Sequence, residues 1–102
     1  MSSDFEALHE KLCAECGSGR TESVSRLIRQ YGLDVNKTNS RGWAPIHFAA
    51  RFGHVGTIHT LIQFAADQSK QNAEGKTPLE LVLFNFFFLL NFIIYLFIVQ
   101  SI

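Results

Sequence analysis

The chain has 102 residues, enough for one domain at most, and its nine basic and nine acidic side chains cancel. That balance gives no reason to expect nucleic-acid binding, so no nucleic-acid partner is expected. The charges are unevenly spread: all of them lie at or before Glu80, and the last 22 residues, Leu81 to Ile102, carry none.

The polar part opens with Ser3-Asp4-Phe5-Glu6, which fits a capping box at a helix start. Phe5, Leu8, Leu12 and Cys16 follow at spacings that make one apolar helix face, and Gly17 to Gly19 ends the helix. Thr21 is expected to cap a second helix whose buried stripe is Val24, Leu27 and Ile28. The short glycine turn makes the two helices antiparallel neighbours. Two cysteines, and an N-terminus without a basic and apolar leader, predict a reducing, cytosolic setting for this part.

An extended segment, Asp34 to Arg41, leads to Gly42, which supplies a turn. Pro45 then starts a helix at the position where its missing N–H costs nothing. Ala49 and Ala50 give that helix a small-residue face, Gly53-His54 turns the chain, and Val55, Ile58, Leu61 and Ile62 are expected to face the core. After a more polar segment, Asp67 to Gly75, the pattern returns: Gly75, Pro78 and Leu79 stand 33 residues after Gly42, Pro45 and Ile46. A fixed period of this size marks stacked repeats.

These residues carry a resemblance. Ala44-Pro45-Ile46-His47-Phe48-Ala49-Ala50 resembles the Thr-Pro-Leu-His-x-Ala-Ala motif of ankyrin repeats, Gly53-His54 with Ile58 and Leu61-Ile62 resembles that family's second helix, and Thr77-Pro78-Leu79 begins the motif again. The likeness covers roughly residues 5–82. It implies an all-α fold, a stack of about two and a half helix-turn-helix repeats followed by one long apolar helix. Residues 1–36 form an N-terminal capping repeat, 37–69 a full repeat, 70–82 the start of a third and 81–102 a hydrophobic tail. The first repeat aligns with the second when one extra residue is placed in Arg29 to Leu33. Glu15 then occupies the place of Ala49, which suits a terminal repeat facing water. Ala44 replaces the family's threonine, so a helix cap worth about 1 kcal/mol is missing.

The resemblance also implies a non-enzymatic protein partner, bound by finger tips and by the exposed side of the first helices. The matching positions are Ser40, Arg41, Trp43, Arg51 and Phe52, with Glu74 and Lys76 on the next finger. Trp, Phe and Arg are residue types that dominate interface energetics. The competing reading is that a neighbouring repeat covers Trp43 and Phe52. For His47 and His54 the family implies hydrogen bonds within and between repeats. No serine or carboxylate accompanies them in a triad-like order, so neither catalysis nor a small-molecule substrate is expected, and no cofactor.

Cys13-Ala14-Glu15-Cys16 has the Cys-x-x-Cys spacing, but it falls in the second half of a helix. With His9 it offers three metal ligands and no fourth, so reduced structural thiols are expected and no metal site. Asn36-Lys37-Thr38 is a formal glycosylation sequon, expected to be unused in the cytosol.

After Val82 the repeat pattern gives way. Leu81 to Val99 has only Asn85, Asn91 and Tyr95 as polar-bearing side chains and no polar face. About 20 such residues cross a bilayer core of about 30 Å, so the stretch is expected to partner a lipid bilayer as a single-pass tail anchor, with the repeats in the cytosol. Lys70 and Lys76 flank it on the expected side. Alternatives are a cytoplasmic protein, a tail folded back over the open end of the stack, and a truncated or alternatively terminated piece of a longer repeat protein.

Overall fold

The computed structural model describes residues 2–101, with side-chain surroundings from Asp4 onward. The capping hydroxyl expected on Ser3 lies outside the described side chains. Five helices follow one another: α1 (Ser2–Gly17), α2 (Thr21–Tyr31), α3 (Pro45–Arg51), α4 (Val55–Gln63) and α5 (Pro78–Ser101), with no strand among the described residues. They form two layers. The inner layer places α3 between α1 and α5, and the outer layer packs α2 on α4; each inner helix of the first two repeats also packs on its own outer partner.

Small side chains set this spacing. Ala49 and Ala50 are fully buried on α3, so α1 and α5 approach its backbone from either side. The core runs through the stack as Leu12, Cys16, Val24, Ile28, Ile46 and Leu61, with Leu33 and Val35 closing it under the first finger. Burial of these side chains, at about 25 cal/mol per Å² of apolar surface, is what holds such short helices.

Several expectations are corrected. Phe5 is 56% exposed because the first turn of α1 extends beyond its partners, so the buried face of that helix begins only around Leu8 and His9. Val55 is 68% exposed on the first turn of α4, and Thr57 takes the buried place. Thr21 is the first helical residue of α2, whose Arg20 cap makes no side-chain bond. The Thr21 hydroxyl pairs instead with that of Thr57 at 2.8 Å, joining the outer helices. Glu15 does not face water: its side chain is 13% exposed and lies 3.6 Å from the Arg20 guanidinium, which compensates its charge.

Ala44 has no acceptor to offer α3, yet half of a capping box survives: the His47 ring nitrogen Nδ1 accepts the Ala44 backbone N–H at 2.9 Å. α5 has the full box. The Glu80 backbone N–H donates to the Thr77 hydroxyl at 3.3 Å, and the Thr77 backbone N–H donates to Glu80 Oε1 at 3.4 Å. Pro78 then occupies the first helical position.

Pro78 and Leu81 are buried against α3, as the inner helix of a third repeat would be. No turn follows. α5 continues for 24 residues, and every described residue from Phe86 onward is exposed. The tail therefore does not fold back; it projects, and the molecule measures 61 × 28 × 22 Å. The third repeat has no outer helix among the described residues. Where one would sit, Ile58 and Ile62 of α4 with Leu79 and Val82 of α5 border a hollow of about 140 Å³.

Candidate interaction surface

Two fingers are built alike. In the first, Asn39 Oδ1 accepts the backbone N–H groups of Arg41 and Trp43 at 2.9 and 3.0 Å, and the Gly42 N–H donates to the Asn39 carbonyl. In the second, Asn72 Oδ1 accepts from Glu74 and Lys76 at 2.9 and 3.0 Å, and Gly75 donates to the Asn72 carbonyl. An asparagine side chain thus closes each turn from inside. The Ala73 N–H donates to the Arg41 carbonyl at 2.9 Å and ties finger to finger. Gly42 has φ +72°, and a Cβ there would come within 2.9 Å of the Ala73 nitrogen, so this contact requires glycine.

Behind the fingers, polar groups link the repeats. His47 Nε2 donates to the Lys70 carbonyl, and His54 Nε2 pairs with the Gly17 carbonyl, each at 2.9 Å. Both histidines therefore make the inter-repeat bonds that the motif implies. Asn36 Oδ1 accepts the Asp67 N–H at 2.7 Å while its Nδ2 donates to the Ala65 carbonyl at 3.2 Å, so the sequon amide is committed to holding finger bases together.

On the inner-helix side two adjoining grooves open. One, of about 500 Å³, is lined by Trp43, Arg51, Glu74, Lys76, Glu80, Leu81, Leu83 and Phe84. The other, of about 390 Å³, is lined by Asn39, Arg41, Trp43, Phe48, Arg51 and Phe52. Trp43 and Arg51 form the ridge common to both. Six of the seven expected residues border these grooves, and Ser40 stands exposed at the finger tip. Trp43 is half-buried rather than fully on the exposed side, its ring centroid 5.2 Å from Phe48 and 5.9 Å from His47. That packing holds the indole in place. The Arg51 guanidinium lies 5.6 Å from the centre of the Phe52 ring.

Leu83 and Phe84 were not expected here, because the sequence places them in the apolar tail. Asn39 and Asn72 were missed as finger braces, although their 33-residue separation matches the repeat period.

The groove's charges are mixed: Arg41, Arg51 and Lys76 against Glu74 and Glu80, the last 4.0 Å from Lys76. The Cys-x-x-Cys pair lies elsewhere, buried inside α1. Burial pushes the Cys13 thiol up to about 12 and raises that of Cys16 further, so both stay protonated and poorly nucleophilic.

Residues 10–62 match the family described as "Ankyrin repeats (many copies)". The chain belongs to the ankyrin-repeat family. Protein phosphatase 1 regulatory subunit 27 of Homo sapiens is 34% identical over 80 residues, covering 78% of this chain and 49% of that protein. The ankyrin repeat and LEM domain-containing protein 2 homolog of Drosophila melanogaster is 43% identical over 67 residues, covering 65% of this chain and 6% of that protein. SH3 and multiple ankyrin repeat domains protein 2 of Homo sapiens is 44% identical over 43 residues, 42% of this chain and 2% of that protein. This ankyrin chain thus spans about half the length, or far less, of these relatives. Its repeats form a protein-interaction module. α5 is long and apolar enough to cross a membrane by length and composition, with a mean hydropathy of 2.5.

Proposed function

We propose that this chain is a non-enzymatic ankyrin adaptor that binds another protein along the grooves beside Trp43 and Arg51, and that α5 tethers it to a membrane with the repeats on the cytosolic side. The observation that carries the binding reading is the convergence of Trp43, Arg51, Glu74 and Lys76 on one concave surface with unspent hydrogen-bonding and apolar capacity. The phosphatase regulatory subunit among its relatives is, by name, a protein that acts on a protein partner. Membrane tethering draws on the course of α5 after Glu80, which is uncharged and from Phe86 onward exposed, and the cytosolic side on the two protonated, unpaired thiols.

A photoreactive residue replacing Arg41 in the full chain should give a discrete cross-linked protein in cells, and Trp43→Ala should abolish it. An adduct that persists in Trp43→Ala overturns this face as the binding surface. Residues 79–102 fused to a soluble reporter should resist carbonate extraction from membranes; a reporter left in the supernatant rules out the anchor.

A second reading, a truncated or alternatively terminated piece of a longer ankyrin protein without activity of its own, draws on the hollow beside Ile58 and Ile62 left without an outer helix. Stacks gain their stability from neighbours, and this one has few. A cooperative thermal transition of the full chain in micelles favours the adaptor, and a featureless melt favours the fragment.

A further inference from the structure

We infer that the turn end of the repeat stack, centred on Phe52 and Val55, lies in the lipid interface, so that the module is held flat against the bilayer rather than hanging from it. The inference rests on the reading of α5 as a membrane span.

Three observations carry it. First, α5 is the inner helix of the third repeat and the apolar span in one unbroken rod, with no linker between them. Second, the level at which it leaves the stack is marked. Asn85 is half-buried, and a Cβ on Gly53 would lie 2.7 Å from its Nδ2, so Asn85 stands beside the turn that joins α3 to α4. Phe84, Phe86, Phe87 and Phe88 are all exposed at or just past this level, and the one polar side chain among them, Asn85, is turned toward the stack at Gly53. The four phenylalanines leave only the Asn85 side of the helix polar, and that side meets the stack, so the hydrocarbon boundary must reach the level of Gly53.

Third, the elements at that level already have interfacial chemistry. Phe52 and Val55, 55% and 68% exposed, are apolar side chains that no repeat covers. Arg51, stacked on the Phe52 ring, has the long stem that lets its guanidinium reach phosphates while the stem stays in apolar surroundings. The neighbouring turn shares the level through the His54–Gly17 bond, and it presents Ser18 and the exposed Arg20. Glu22 and the half-buried Glu15 oppose the two arginines, so the attraction is chiefly apolar and does not require anionic lipid. Phe52 then closes the partner groove on its membrane side, and the groove opens along the bilayer surface.

Depth-dependent quenching tests this on the full chain in phosphatidylcholine vesicles containing lipid brominated near the headgroup, read at positions 40 and 52, or near the chain ends, read at position 95. Trp43, the single tryptophan, is replaced by phenylalanine, and one tryptophan is introduced as Phe52→Trp, Ser40→Trp or Tyr95→Trp. Circular dichroism checks that each variant keeps its helices. Quenching at position 52 should exceed that at the finger tip, position 40, several-fold. Quenching at position 95 with none at 52 overturns the flat seating and spares the span. No quenching at 95 overturns both. Equal quenching at 40 and 52 overturns the seating as drawn, because the whole stack would then touch lipid.

Discussion

His47 spans two repeats. Its Nδ1 accepts the Ala44 N–H and its Nε2 donates to the Lys70 carbonyl, both at 2.9 Å, so the ring works only as one neutral tautomer. Burial lowers its pKa below the usual histidine value, and backbone bonds to Lys70 and Lys76 offset this only in part. His9 is lowered by burial as well. A histidine whose folded pKa is depressed leaves stability intact above the unfolded value of about 6.5 and erodes it as pH falls toward the folded value. The thermal midpoint of the full chain should therefore drop between about pH 7 and pH 5, and less so in His47→Asn. A midpoint that is flat or rises over that interval contradicts the assignment. The depressed Asp67 carboxyl acts only in more acidic solution, so it does not mask the effect.

Ala65 adopts φ +67° just past α4, where Gly32 adopts φ +60° past α2. An L-residue pays about 1 kcal/mol or more for this left-handed conformation, and glycine does not. Ala65→Gly should raise stability by about 0.5–1 kcal/mol in a denaturant melt, less than the full strain because glycine also loosens the unfolded chain. Gly42→Ala should do the reverse and more strongly, since the added methyl meets the Ala73 backbone.

The Thr21–Thr57 hydroxyl pair joins the outer helices at 2.8 Å, with Thr57 only 1% exposed. Removing one hydroxyl strands the other. Thr21→Val should cost about 1–2 kcal/mol, and the double change to valine should cost less than the sum of the two single changes. Additive losses in that cycle would mean the pair is not coupled.

Cys13 and Cys16 are buried, unpaired and protonated. Iodoacetamide at about pH 8 should leave the folded chain unmodified for hours and label both thiols once denaturant is added, because only the thiolate reacts. Rapid native labelling would show that α1 opens locally.

Much of this architecture is legible from residue types alone. Pro45 and Pro78 at helix starts and the left-handed Gly42 and Gly75 each have one comfortable backbone role, so their 33-residue spacing dictates stacked helical hairpins. The uncharged stretch after Glu80 excludes a surface helix of an ordinary domain for the same local reason. The structure decided matters that depend on distant neighbours. Glu15 is shielded because Arg20 reaches it across the turn. Val55 is exposed and Thr57 buried because the outer helix is rotated to meet α2, and helical spacing alone does not fix which stripe has a partner. Leu83 and Phe84 reach the groove beside Trp43 because α5 serves as repeat helix before it becomes the apolar rod. Local conformational preference is written residue by residue, whereas burial and charge compensation belong to pairs of surfaces, and those exist only once the helices have packed.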